Sequence, residues 1–196
     1  MKIVVATNNS HKVDELKNLI NLNDFELLTM KDLNINLDIE ENGSTFAENA
    51  SIKAKTLYEY INNPEYVVIA DDSGLCVDFL NGQPGIYSAR FSGGDDADNR
   101  KKLLHELNNV PTKNRGAHFN CTIALINNGE LITFEGICNG IITEKESGEN
   151  GFGYDSLFFY PELNKTFAEL SAEEKNQVSH RANAVKKLKE YLESIN

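Results

Sequence analysis

The sequence predicts an α/β fold in which helices flank a mixed β-sheet. Three observations predict it. Short β-branched apolar runs stand at 3–6 and 66–70, apolar residues recur three and four apart over 13–20, 46–61 and 178–192, and Asn128-Gly129 joins two extended stretches. A continuous apolar run is the mark of a strand covered on both faces. Spacing of three and four puts apolar side chains on one face of a helix. Asn-Gly accepts the positive φ of a tight hairpin turn.

The first run, 3–6, leads into the polar turn Thr7-Asn8-Asn9-Ser10, and Val13, Leu16, Leu19 and Ile20 then recur at helical spacing. Residues 25–40 read as extended or irregular. Thr45-x-x-Glu48 is a capping box, and its helix runs to about Asn62, where Asn62-Asn63-Pro64 stops it. The strand at 66–70 ends in Asp71-Asp72-Ser73-Gly74. A Gly- and Pro-rich loop covers 81–94, and a short helix over 99–109 buries Leu103, Leu104 and Leu107. Alternation over 117–126 gives one hairpin arm, 131–137 gives the other, and 141–143 continues as strand. Gly151-Phe152-Gly153-Tyr154-Asp155 is a turn into a strand over 157–160. Ser171-x-x-Glu174 is another capping box, and a helix with Val178, Ala182, Val185 and Leu192 on one face ends the chain. The length, 196 residues, suits one domain. The hairpin region is expected to bend away as a second lobe, roughly 75–145.

Charge narrows the function. Thirty acids against nineteen bases give a net charge of −11. Nucleic-acid binding needs clustered Lys and Arg to displace counterions, so it is not expected. An anionic substrate must then meet a local basic pocket or a bound cation. Cys76, Cys121 and Cys138 show no metal or redox spacing and read as buried, reduced thiols of a cytoplasmic protein. Neither a secretory signal nor a membrane span is expected.

Several residues do not suit a plain scaffold. Lys53 lies in the middle of the apolar stripe Phe46, Ala50, Leu57 and Ile61. Either it snorkels at the helix edge, or it reaches a phosphate or carboxylate. Asp71 and Asp72 close a strand, where α/β sheets bind ligands. Neighbours on a strand point opposite ways, so one acid faces the site. Acids of this kind suit Mg2+, and Glu40-Glu41 offer a further carboxylate. The turn Thr7 to Lys12 joins a strand to a helix N-terminus, a natural anion cradle. Phe152 either folds into the core or stacks on a nucleobase. Lys175, Ser179, His180 and Arg181 add donors, although Arg181 could equally lie on a solvated face. His11, His105 and His118 lack metal-ligand spacing. As a set, these groups suit a magnesium nucleotide.

The motifs Ala6-Thr7-Asn8-Asn9-x-x-Lys12, Thr45-Phe46-x-Glu48-Asn49-Ala50-x-x-Lys53-Ala54 and Ala70-Asp71-Asp72-Ser73-Gly74-Leu75 occur in that order. Pro84-Gly85-Ile86-Tyr87-Ser88-Ala89-Arg90, Gly151-Phe152-Gly153-Tyr154-Asp155, and Glu174-Lys175 with Ser179-His180-Arg181 follow. Together they resemble the inosine triphosphate pyrophosphatase family, the dITP/XTP pyrophosphatases, over nearly the whole chain. Asn8 stands where many of that family carry glycine. The resemblance implies hydrolysis of ITP, dITP and XTP to the monophosphate and pyrophosphate. It also implies dependence on Mg2+ (with Mn2+ as a substitute), a homodimer, and an elongated two-lobed sheet with a central substrate cleft. It assigns Thr7, Asn8, Asn9, Ser10, His11, Lys12, Lys53 and Ser73 to substrate. Phe152, Gly153, Tyr154, Asp155, Lys175, His180 and Arg181 hold the base and sugar. Asp72 is metal ligand and general base, with Glu40 as the second metal carboxylate and Glu41 beside it.

Two other readings compete. One is a Maf-like pyrophosphatase acting on other modified nucleotides, against which the Ser179-His180-Arg181 ending argues. The other is a nucleotide-binding module without catalysis, which would not need Asp72.

Overall fold

A computed structural model describes residues 2–20 and 25–195. Its strands are β1 (Lys2–Val5), β2 (Glu26–Thr29), β3 (Tyr66–Val77), β4 (Gly116–Asn127), β5 (Glu130–Ile142), β6 (Phe158–Tyr160) and β7 (Lys165–Thr166). Its helices are α1 (Ser10–Leu19), α2 (Phe46–Ile61), α3 (Asp96–Glu106), α4 (Ala172–Val178) and α5 (His180–Ser194). The strands form one seven-stranded sheet in the order β2-β1-β3-β4-β5-β6-β7. β1 runs parallel to both β2 and β3, whereas β6 is antiparallel to β5 and β7. The sheet is therefore mixed and flanked by helices, as the sequence predicts.

The chain divides into two compact units. The first comprises residues 1–72, 121–136 and 184–196, and the second residues 73–120 and 137–183. In the first unit the period of two separates two faces. Ile3, Val5, Val67, Ile69, Cys121, Ile123 and Leu125 pack with Leu16 of α1 and with Ala184, Val185, Leu188 and Leu192 of α5. Val4, Ala6, Val68, Ala70, Ala124 and Ile126 pack with Ala50, Ala54 and Leu57 of α2. Both faces are covered, which is why residues 3–6 and 67–70 are apolar at every position. In the second unit Leu75, Val77, Phe119, Cys138 and Phe158 pack with Leu103 of α3, with Leu107 just after it, and with Phe167 and Leu170.

Several boundaries differ from the sequence reading, each for a physical reason. β3 does not stop at Ala70 but continues through Asp71-Asp72-Ser73-Gly74 to Val77, because Leu75 and Val77 are core residues. Both acids therefore sit in mid-strand rather than beyond a strand end. Residues 119–126 do not alternate in exposure but are all buried. The distal hairpin, Cys121–Gly136, belongs to the first unit, where Cys121, Ile123 and Leu125 complete a core. The stretch read as a loop contains a 3-10 helix, Gly85–Arg90. The last helix is two helices, broken at Ser179, whose ψ of 156 is extended.

Candidate active site

The site groups fall into two sets, one in each unit. In the first unit α2 carries the decisive lysine. Thr45 caps the helix by accepting from the Glu48 N–H at 3.1 Å. The helical period then puts Asn49, Ala50, Lys53, Ala54 and Leu57 on the buried face. Lys53 does not snorkel. Its side chain is 9% exposed, and Nζ lies 2.7 Å from Glu41 Oε1 and 3.7 Å from Asp72 Oδ1. On the same strand, Asp71 Oδ2 lies 3.1 Å from Lys12 Nζ. The two acids thus meet different lysines, as alternation along β3 requires.

Burial disfavours the Lys53 ammonium, but Asp71, Asp72 and Glu41 outweigh it and hold its pKa above the ordinary lysine value. For Asp72 the balance tips the other way. Burial pushes its carboxyl up, and Lys53, Lys12 and the Asn49 amide recover only part of that rise. Lys12 and Lys53 thus share this site with three carboxylates, Asp71, Asp72 and Glu41.

The turn Thr7 to Lys12 is held by its own side chains. The Asn9 N–H donates to Thr7 Oγ1 at 3.2 Å, and Asn9 Oδ1 caps α1 by accepting from the Lys12 N–H at 3.2 Å. Asn8, Asn9, Ser10 and His11 are exposed, while Thr7 and Lys12 are half-buried. Glu40 is exposed, whereas Glu41 is half-buried against Lys53.

In the second unit the turn 151–155 closes on itself. Asp155 Oδ2 accepts from the Phe152 N–H at 3.0 Å and from Lys175 Nζ at 2.6 Å. Gly151 has φ +75, and a Cβ there would collide with the Asp155 carboxylate, so only glycine fits. Phe152 is half-buried, and its ring lies 5.3 Å from Lys175 Nζ. Tyr154 is buried and donates its hydroxyl to Ser88 O at 2.8 Å. Burial first, and Asp96 second, push that phenol well above its ordinary value. The break at Ser179 starts α5 at His180, which stacks on Phe119 with 4.7 Å between ring centroids. Arg181 is not on a solvated face. It is 1% exposed, and Nη2 donates to Ser73 Oγ at 2.9 Å.

Sequence reasoning missed two partners. Asn49 is fully buried, accepts from the Gly43 N–H at 2.8 Å and donates to Asp72 Oδ2 at 3.1 Å. Its place on the apolar face of α2, four residues before Lys53, was the available signal. Glu41 as the lysine's partner left no signal, because an acid in irregular chain has no period.

A family model described as the Ham1 family matches residues 3–191. The chain belongs to the Ham1 family. A dITP/XTP pyrophosphatase of Clostridium perfringens is 48% identical to this Ham1 chain over 200 residues, covering 99% of this chain and 98% of the relative. The Ham1 protein of Staphylococcus aureus superposes with a TM-score of 0.89 at 43% identity over the whole of both chains. A Ham1 protein from Coxiella burnetii gives the same TM-score at 36% identity over 99% of each chain.

Among the described residues of this Ham1 chain, no group of three or more His, Cys, Asp or Glu side chains is arranged to hold a metal ion alone. Mg2+ commonly takes one or two carboxylates and completes its shell with water and substrate phosphate. The buried Asp72, with Glu41 on the same lysine, offers two carboxylates and fits that mode. No described helix is long and apolar enough to cross a membrane.

Proposed function

We propose that this chain hydrolyses the non-standard purine nucleoside triphosphates ITP, dITP and XTP to the monophosphate and pyrophosphate, in dependence on Mg2+. The observation that carries this reading is the buried Asp72 carboxylate, 3.7 Å from an inward-turned Lys53 and bonded by Asn49. The name of the Clostridium perfringens relative supports the substrate class. A non-catalytic binding module has no use for such an acid, because burying its carboxylate costs stability. The chain is further read as a cytoplasmic homodimer. The dimer rests on family resemblance, and three buried cysteines outside any disulfide suit a reducing compartment.

Phosphoryl transfer is mostly positioning and charge neutralisation. Asp72 and Glu41 are the assigned metal ligands, Glu41 being preferred to the exposed Glu40 for its contact with Lys53. Mg2+ supplies neutralisation of phosphate oxygens and an oriented water when bound. Lys12 and Lys53 offset charge that develops on the phosphate chain, and the Thr7 to Lys12 turn offers backbone and side-chain donors to it. Asp72 accepts the water proton, a task that its raised pKa favours. Asn49 holds the carboxylate in one orientation.

The purine is assigned to the second unit. The Phe152 ring stacks on it, and Lys175, held by Asp155, keeps a cation beside that ring. Hypoxanthine and xanthine present a 6-keto acceptor where adenine presents an amino donor. Donors from His180 and Arg181 therefore reject adenine, because a buried donor facing a donor is left unpaired. Ser73, bonded by Arg181, touches the substrate from β3.

The test is pyrophosphate release from ITP, XTP, GTP and ATP, with and without Mg2+. Release from ITP and XTP well above that from ATP, and lost on chelation, is expected. Tight nucleotide binding without any product would establish the binding-module reading instead.

A further inference from the structure

The turn that carries Phe152 is locked at one glycine and not at the other. At Gly151 sterics decide, because a side chain would strike Asp155. Gly153 also has a left-handed φ, +58, yet no atom lies within 4 Å of where a Cβ would stand. Packing therefore does not fix the backbone at Gly153. Two hydrogen bonds do, and both come from α3. The Gly153 N–H donates to Asp96 Oδ2 at 3.0 Å, and Arg100 Nη1 donates to Gly153 O at 2.9 Å. Asp96 and Arg100 are four apart on one helix, so they share a face. One accepts from the peptide before Gly153 and the other donates to the peptide after it. Both rotations at a residue with no side chain are thereby set.

The helix that does this is itself anchored. Asp95 caps it by accepting from the Asp98 N–H at 2.9 Å. Buried Asn99 accepts from Ser92 N–H and Oγ–H at 2.7 Å and donates to Ala89 O at 3.1 Å, which ties α3 to the end of the Pro84–Arg90 motif. Arg100 is oriented by a second bond, from Nε to Glu146 Oε2 at 2.9 Å, and Ser156 Oγ donates to that same oxygen at 2.9 Å.

We infer that Asp96 and Arg100 are positioning residues that hold Gly153 between them and so aim the Phe152 ring at the purine. This inference rests on the reading that Phe152 stacks on the base. Neither residue touches substrate. Both act through the backbone of the turn, and their loss weakens nucleotide capture more than the chemical step.

The test compares Asp96→Ala, Asp96→Asn and Phe152→Leu with the wild-type chain, using ITP and Mg2+ and hydrogen exchange of the 151–155 amides. Asn keeps an acceptor oxygen but loses the charge, so it separates the hydrogen bond from a charge effect at the helix start. Asp96→Ala is expected to raise KM roughly 3–10-fold with kcat within about twofold, the range of one lost hydrogen bond. It should speed exchange at Gly153, and Asp96→Asn should restore both. An unchanged KM in Asp96→Ala, unaltered exchange, or an Asn variant as impaired as the Ala variant would each overturn the inference. The stacking reading fails separately, by an unchanged KM in Phe152→Leu.

Discussion

Asp72 works against the fold that contains it. Its pKa is raised in the folded chain, so the unfolded chain ionises first as pH rises. Stability tied to this group is intact below its ordinary value, falls as pH climbs to the raised value, and stays lost above it. Asp72→Asn removes that penalty, and it leaves Asp71 and Glu41 to balance Lys12 and Lys53. The variant is expected to lose about 100-fold or more in turnover, while its Tm stays level or rises. Pyrophosphate release and calorimetry check the two halves. Near-normal turnover would remove Asp72 from the chemistry, and a Tm lower by several degrees would make it a structural partner of Lys53.

Among the elements, α4 is the most exposed to loss of a single bond. Seven residues make two turns, too few for a helix to persist on its own propensity. Its capping box holds it: Ser171 Oγ accepts from the Glu174 N–H at 3.1 Å, and Glu174 Oε2 accepts from the Ser171 N–H at 2.8 Å. Ser171→Ala should lower Tm by about 2–4 °C, the effect of one lost cap in a chain of this size, and Ser171→Asp should restore it. An unchanged melting curve in the Ala variant would show that the core contacts of Leu170 and Val178 suffice. This cap was legible in the sequence, as were the cap of α2 and the anomalous Lys53, because periodicity and capping are local. The break at Ser179 was not, since the apolar spacing of Val178, Ala182 and Val185 runs across it. Asp71-Asp72-Ser73-Gly74 has the composition of a turn, and only the tertiary packing of Leu75 and Val77 makes it strand. Likewise Glu41 could be matched to Lys53 only by the path of irregular chain, which no residue pattern encodes.

For the molecule as a whole, a net charge of −11 repels a nucleotide before any lysine can attract it. Long-range repulsion is screened as the Debye length falls from about 30 Å at 0.01 M salt to about 8 Å at 0.15 M. Lys12 and Lys53 lie in short, shielded contacts that salt weakens less. The rate constant kcat/KM for ITP should therefore rise over that range at fixed free Mg2+. A steady decline would show that a local basic field governs capture. The sheet imposes a constraint of another kind. Val4 pairs with Val68 and Val5 with Ile69, and the Ala6 N–H reaches Ile69 O at 2.8 Å, just before the two acids. Since sides alternate along β3, inserting or deleting one residue between 66 and 71 would hand each acid to the wrong lysine and turn the apolar set inside out. Substitution is tolerable there where a change in residue count is not, so length variation among descendants of this sequence has to accumulate elsewhere in the chain.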